Sequence, residues 1–165
     1  MHKLKSLLLT IFTTCCVVGY SQRESLPVTS FTSRDYGKEL NPEIYCAIQD
    51  SRGVMYFGTA NGVHEFDGTK WRLIKVLAGG YVRSLGVDST GTVYVGTYGE
   101  LGYLAPNEIG EMEYVSLLSK VPEEDQWFSD IWQVHCSKDK IHFQAQEQLM
   151  VYDPKSENME VIDQT

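Results

Sequence analysis

Residues 44–67, IYCAIQDSRGVMYFGTANGVHEFD, reappear 38 residues further on as VRSLGVDSTGTVYVGTYGELGYLA, residues 82–105. Asp50 falls on Asp88, Gly53 on Gly91, Tyr56 on Tyr94, Gly58 on Gly96 and Thr59 on Thr97. A third, worn copy starts at Ile131 with IWQVHCSKDKIHFQAQEQLMVYD. There Phe143 matches Phe57 and Asp153 matches Asp67 at an offset of 86, while Gly53 and Gly58 become Asp139 and Gln144. A fixed period near 40 residues marks a chain built from stacked copies of one unit that cannot bury its apolar faces alone.

Each copy reads as four short strands. In the first, IYCAIQ is strand A, DSRG a tight turn in which Gly53 is free to take positive φ, and VMYF strand B. GTANG is the next turn, VHEF strand C, DGTK an Asp-Gly hairpin turn and WRLIK strand D. Strand D is MEYVSLL in the second copy and MEVID in the third. VMYF and TVYV are apolar on both faces, so each sheet is expected to pack between two others. No window of adequate length keeps a 3.6-residue apolar period, which excludes long helices. The expected fold is all-β: four-stranded antiparallel β-propeller blades over 44–75, 82–118 and 131–163, preferred over a β-sandwich because a sandwich does not predict matching turn residues at a fixed offset.

The motifs QDSRGVMYFGTANGVHEFDG and VDSTGTVYVGT resemble the repeat of the two-component-regulator propeller family. The lead-in FTSRDYGKELNPEIYCAIQD and the stretches GELGYLAP and YVSLLSKVPEEDQWFSDIW are similar to the N-terminal sensor propeller of exported bacterial signalling proteins with a triple-tyrosine domain. The resemblance covers about residues 31–163 and departs from the family in the third copy, which lacks both glycines and the Gly-Thr pair. It implies a propeller of about seven blades, then a triple-tyrosine β-domain, a membrane span and a cytoplasmic output. Three blades fall short of the four to eight of closed propellers, so the chain is expected to be an incomplete propeller, a fragment of a longer sensor. The lead-in, 22–43, with Phe31 and Tyr36, is expected to supply a closing outer strand.

Residues 1–21 read as a signal peptide. His2, Lys3 and Lys5 form a basic start, LLLTIFTTCCVV is an apolar run too short to span a bilayer, and Gly19 and Ser21 suit cleavage before Gln22. An uncleaved anchor is the alternative. The expected location is exported, periplasmic or otherwise extracytoplasmic, and membrane-tethered in the full-length protein. Cleavage removes Lys3 and Lys5 and takes the formal charge from −8 to −10. Such acidity argues against a nucleic-acid partner, which requires a Lys/Arg surface. Cleavage also leaves two cysteines, Cys46 and Cys136, too few for a disulfide framework and without a CxxC spacing. Both are expected to be free thiols.

The residues contain no phosphate loop, no HExxH and no nucleophile elbow. No catalytic site, metal or cofactor is expected. His142 stands where the other copies have Tyr56 and Tyr94, and reads as a half-buried, hydrogen-bonded ring. Asp50 and Asp88 read as turn caps. Binding groups are sought in the D-to-A loops, VLAGGY and SKVPEEDQWFSD, on the same face as the B-to-C turns. Trp127 and Phe128 in the longer loop are the leading ligand candidates, because aromatic planes beside polar groups suit carbohydrate and other amphipathic ligands. Folding of both rings back over a blade is the competing outcome. Tyr81 and Arg83 are further candidates, and Trp71 and Trp132 read as blade packing.

Two functions follow. One is a non-catalytic, extracytoplasmic ligand-sensing segment of a bacterial signal-transduction regulator. The other is a structural or protein-interaction propeller module without a small ligand. Expected partners are an unknown small ligand with carbohydrate as one class, the rest of the sensor chain, and a second copy in a homodimer of the full-length sensor.

Overall fold

A computed structural model describes residues 28–37, 43–76 and 80–163. The expected signal peptide, 1–21, lies outside the described residues. Among the described residues twelve strands follow in meander order: β1 (Ile44–Gln49), β2 (Met55–Thr59), β3 (Gly62–Phe66), β4 (Trp71–Ile74), β5 (Ser84–Val87), β6 (Val93–Gly96), β7 (Leu101–Pro106), β8 (Met112–Ser116), β9 (Gln133–Cys136), β10 (Ile141–Gln144), β11 (Gln148–Asp153) and β12 (Asn158–Asp163). They make three four-stranded antiparallel sheets, each pairing only sequence neighbours. This all-β arrangement is consistent with blades. Among the described residues the longest helix is one turn.

The turns follow from Asp and Gly chemistry. The Asp50 carboxylate accepts the N–H groups of Arg52 and Val54 at 2.9 and 3.0 Å, and Gly53 takes φ 87°. Asp88 accepts Thr90 and Thr92 at 2.8 and 3.0 Å, and Gly91 takes φ 91°. Asp67 caps the third hairpin of the first sheet through Thr69 and Lys70, and Asp153 the matching one through Lys155 and Ser156.

In the third copy the β9–β10 hairpin is one residue shorter. Five residues separate Gln49 from Met55 and Val87 from Val93, but four separate Cys136 from Ile141. Ser137 and Lys140 close a tighter turn at 2.9 Å. Asp139 is therefore not the counterpart of Gly53. This turn needs no positive φ, and the missing glycine is a consequence of loop length rather than wear.

Apolar residues on alternate faces build two cores. Tyr56, Val63 and Ile74 of the first sheet meet Leu85, Val93, Val95 and Leu104 of the second. Tyr94, Leu101 and Leu117 meet Ile141, Phe143, Met150, Tyr152 and Met159 of the third. All four residues of β6 are buried because both of its faces are covered.

The Gly-Thr pair joins one sheet to the next. A Cβ on Gly58 would collide with Cys46 and Val82, and one on Gly96 with Ser84 and Ile131. The carbonyls of Thr59 and Thr97 accept the N–H groups of Val82 and Ile131 at 3.0 and 2.9 Å. Glycine permits the approach, and the threonine carbonyl supplies the bond. Among the described residues Cys46 and Cys136 form no disulfide. Cys46 Sγ reaches the Val82 carbonyl at 3.8 Å, and at the matching position Ser84 Oγ donates to the Ile131 carbonyl at 2.7 Å.

The described part of the lead-in, residues 28–37, holds one helical turn and no strand. α1 (Ser33–Tyr36) starts at Thr32, whose backbone N–H donates to Asp35 at 2.6 Å. These bonds from Thr32 hold the Asp35 carboxyl below its ordinary value. Phe31 and Tyr36 set their rings 5.5 and 5.9 Å from that of Trp71, which stacks on Phe66 at 4.6 Å. Trp71 is thus a packing residue, as its place in strand D implied. Residues 22–27 and 38–42 lie outside the described residues.

Candidate ligand-binding site

The site is built at the start of the first strand of each sheet. Two residues of that strand share one partner: Tyr45 is the extra residue where the β1–β2 register shifts between Ile44 and Cys46. In the second sheet Arg83 N–H donates to the Gly96 carbonyl at 3.0 Å although Gly96 already faces Ser84. In the third, Trp132 N–H donates to the Gln144 carbonyl at 2.8 Å although Gln144 faces Gln133. The same bulge therefore recurs three times. A bulge re-aims the side chain it carries, and here it carries Tyr45, Arg83 and Trp132.

These three converge. The Arg83 guanidinium carbon lies 4.8 Å from the centre of the Tyr45 ring, 5.0 Å from Tyr81 and 5.8 Å from Trp132. Tyr45 and Tyr81 meet edge to face at 5.6 Å. Arg83 Nε is 3.0 Å from Asp130 Oδ1. The Tyr45 hydroxyl donates to Glu43 at 2.8 Å, which, ahead of desolvation, raises its phenol above the ordinary value. Cation–π attraction of this kind is worth about 0.5–2 kcal/mol depending on desolvation.

Asp130 is held by backbone pairing with Tyr98. Beside it Gly99 N–H donates to the Ser129 carbonyl at 3.2 Å, and the Ser129 hydroxyl donates to Glu147 at 3.0 Å. The D-to-A loop of the third sheet is thus laced to the B-to-C turns of the second and third, all at one end of the sheets. Chemically, the arrangement offers ring faces, a guanidinium with its Nη groups beyond the Asp130 contact, and two flanking carboxylates.

The structure separates the two leading sequence candidates. Phe128 is 7% exposed and belongs to the core between the second and third sheets, so it is not a surface for a ligand. Trp127 is 91% exposed. The loop is anchored by Leu117, Val121, Phe128 and Ile131, and by Gln126 and Gln148, whose amides donate to the Val121 and Asp125 carbonyls at 2.9 and 2.6 Å. Tyr81 and Arg83 lie together as a pair. Trp132, expected as packing, is 56% exposed and stands in the cluster instead. Tyr45, Asp130 and Trp132 were missed by sequence reasoning. For Tyr45 and Trp132 the signal is positional: both stand where the second copy has Arg83, at the start of the first strand of their sheets, and for Trp132 this shows only after the third copy is realigned by its shorter hairpin.

No family model and no curated protein matches the chain. Solved structures do. Two are of the extracellular domain of BT4673 from B. thetaiotaomicron, a protein named in one as a one component system and in the other as a hybrid two component system. Both are 23% identical, with TM-scores of 0.62 and 0.63 over 84% and 87% of this chain. The chain spans 18% and 19% of their lengths. The likeness is one of fold.

Proposed function

We propose that the chain is an extracytoplasmic ligand-sensing segment of a bacterial signal-transduction regulator, with its three sheets as consecutive blades of a longer propeller. The observation that carries this reading is the convergence of Tyr45, Arg83 and Trp132 from equivalent bulges in three successive sheets. A group assembled from three repeats reports their relative placement, so occupancy can bias how the sheets sit. The repeat motifs resembling the two-component-regulator propeller and the likeness to extracellular domains of BT4673 support the same reading. The role is binding rather than chemistry, and an amphipathic ligand, with carbohydrate as one class, suits rings flanked by charge.

The test is a titration of the chain with a panel of neutral and acidic oligosaccharides, read by tryptophan fluorescence. A saturable change that Arg83→Ala and Trp132→Phe abolish supports the reading. No change with any member, together with an unaltered response of the longer regulator carrying Arg83→Ala, overturns it. A second reading, a protein-interaction module, is favoured by the exposure of Trp127. It expects Trp127→Ala, not Arg83→Ala, to remove the response.

A further inference from the structure

At the opposite end of the sheets from this cluster, the A-to-B turns of the first two sheets differ at one position. Both turns begin with the same cap: Asp50 and Asp88 each hold two backbone N–H groups through Oδ1. In the first turn the chain adds its own cation. Arg52 Nε and Nη2 donate to Asp50 Oδ2 at 2.9 and 2.7 Å, and Nη2 also donates to the Tyr56 hydroxyl at 3.1 Å. The Asp50 side chain is fully covered as a result. A planar guanidinium thus spans a carboxylate and a phenol.

The second turn repeats the acceptors without the cation. Thr90 stands in place of Arg52, and Tyr94 in place of Tyr56. The Thr90 hydroxyl donates to Asp88 Oδ1 at 2.6 Å and leaves Oδ2 alone. Among the described residues Asp88 Oδ2 receives only the Tyr94 hydroxyl, at 3.3 Å. Beside it lies a cavity of about 120 Å3, lined by Asp88, Thr90, Ser137, Ile141 and Pro154 together with two lysines. That volume is far above the roughly 10–15 Å3 that admits one water. Its walls come from turns of the second and third sheets and from Ile141, on the face of the third sheet that meets the second. A further sheet packed on the other face of the third leaves this cavity open. Of the lysines, Lys155 is engaged by Asp139, and Lys138 is exposed.

We propose that this cavity binds a guanidinium group from outside the chain, as the first sheet binds that of Arg52. The ligand donates to Asp88 Oδ2, with the Tyr94 hydroxyl beside it as second acceptor. A hydroxyl accepts while donating its own proton, so Tyr94 keeps its bond to Asp88. Ile141 and Pro154 give apolar surface to a cation that is more weakly hydrated than an ammonium. The planar fork suits two neighbouring acceptors better than a point charge does.

The experiment titrates the full chain with methylguanidinium and with a terminally blocked Gly-Arg-Gly peptide, blocked Gly-Lys-Gly being the ammonium control. The Thr90 and Ser137 amides and the Tyr94 ring are followed by NMR. The expected result is saturable shifts confined to this cavity, with the lysine peptide the weakest of the three. Asp88→Asn keeps an oxygen for the turn but removes the charge, and should weaken binding about tenfold or more. Thr90→Arg, at an exposed position, rebuilds the first-sheet arrangement. The chain's own guanidinium should then fill the site, abolish binding and raise the melting temperature. Lys138→Gln removes a competing cation and should bind at least as tightly as the parent. Equal affinity for the two guanidinium probes assigns the site to a small guanidinium compound, and tighter binding of the peptide assigns it to an arginine side chain of a polypeptide. No saturable shift with either probe overturns the proposal. So does undiminished binding in Thr90→Arg or Asp88→Asn, or weaker binding in Lys138→Gln, which would mark a pocket for anions.

Discussion

The backbone carbonyl of Thr59 accepts the Val82 N–H at 3.0 Å, and this bond crosses from the first sheet to the second. Thr97 repeats it with Ile131 at 2.9 Å. At the third position of the series the residue is Ala145, preceded by Gln144 rather than glycine. The Gly-Thr motif is therefore a device for joining sheets, not merely a turn.

The first prediction tests that device. Gly96→Ala inserts a methyl whose carbon lies 2.6 Å from Ser84 Oγ and 2.7 Å from Ile131 Cβ. Overpacking of this kind costs about 1–3 kcal/mol. Gly53 has φ 87° but nothing nearer than Gln49 Nε2 at 3.8 Å. Asn tolerates that backbone region, so Gly53→Asn should cost under about 1 kcal/mol. Urea unfolding of both variants ranks them. Equal losses would remove the close approach from the account of the motif.

The second prediction concerns the long loop. Phe128→Ala empties a site in the core and should cost about 3–5 kcal/mol, whereas Trp127→Ala should stay within about 0.5 kcal/mol of the parent. Thermal unfolding distinguishes them. A large loss from Trp127→Ala would mean that the indole has a packing partner.

How much of this was legible beforehand depends on the range of the interaction. The copies, the Asp caps at Asp50 and Asp88, and the strand limits are local patterns, and residues 44–49 form strand A as expected. The site is not local. Trp127 and Phe128 are adjacent in sequence, and only the course of the loop decides that one faces the core and the other water. The bulges at Tyr45, Arg83 and Trp132 are a register property, invisible in composition. The lead-in with Phe31 and Tyr36 suits a closing outer strand on repeat logic alone, but the local capping of Thr32 by Asp35 makes a helical turn at residues 33–36.

The third prediction is about thiol chemistry. Burial raises both thiols to about 11, aided at Cys136 by the charge of Asp88. Reaction requires the thiolate. Labelling of the native chain at pH 8 should be slow and should rise about tenfold per pH unit, while labelling in urea should be fast. Cys46→Ser should fold normally, since Ser84 does the same work in the second sheet. Rapid native labelling at pH 8 would contradict the packing of Cys46 beneath Gly58.

The fourth prediction is acid sensitivity. Burial alone would raise the Asp50 carboxyl, but bonds from Arg52 and from the N–H groups of Val54 and Arg52 outweigh it and hold it below 3.8. A carboxyl lowered on folding contributes stability that is present above its ordinary value and lost as pH falls through the folded one. Stability should decline below about pH 4. Asp50→Asn keeps an oxygen for the backbone N–H groups but loses the Arg52 pair. It should be less stable at pH 7 and show a shallower acid decline. An unchanged acid slope would assign the decline to other carboxylates.

The last prediction separates charge from shape at Arg83. Its ion pair with Asp130, at 3.0 Å, is partly open to water, and such pairs contribute about 0.2–1 kcal/mol. A double-mutant cycle with Arg83→Ala and Asp130→Ala should return a coupling in that range. The rings impose a different demand. A guanidinium is planar and stacks on aromatic faces, while an ammonium is a compact point charge on a flexible stem. Arg83→Lys therefore keeps the charge yet loses the contacts with Tyr45, Tyr81 and Trp132. Its stability should match the parent within about 1 kcal/mol. Its side chain should be free to leave the rings, seen as changed Tyr81 and Trp132 ring signals in NMR and as loss of the oligosaccharide-dependent fluorescence change. If Arg83→Lys retains that change, the site reads charge alone, and the three bulges serve packing rather than recognition.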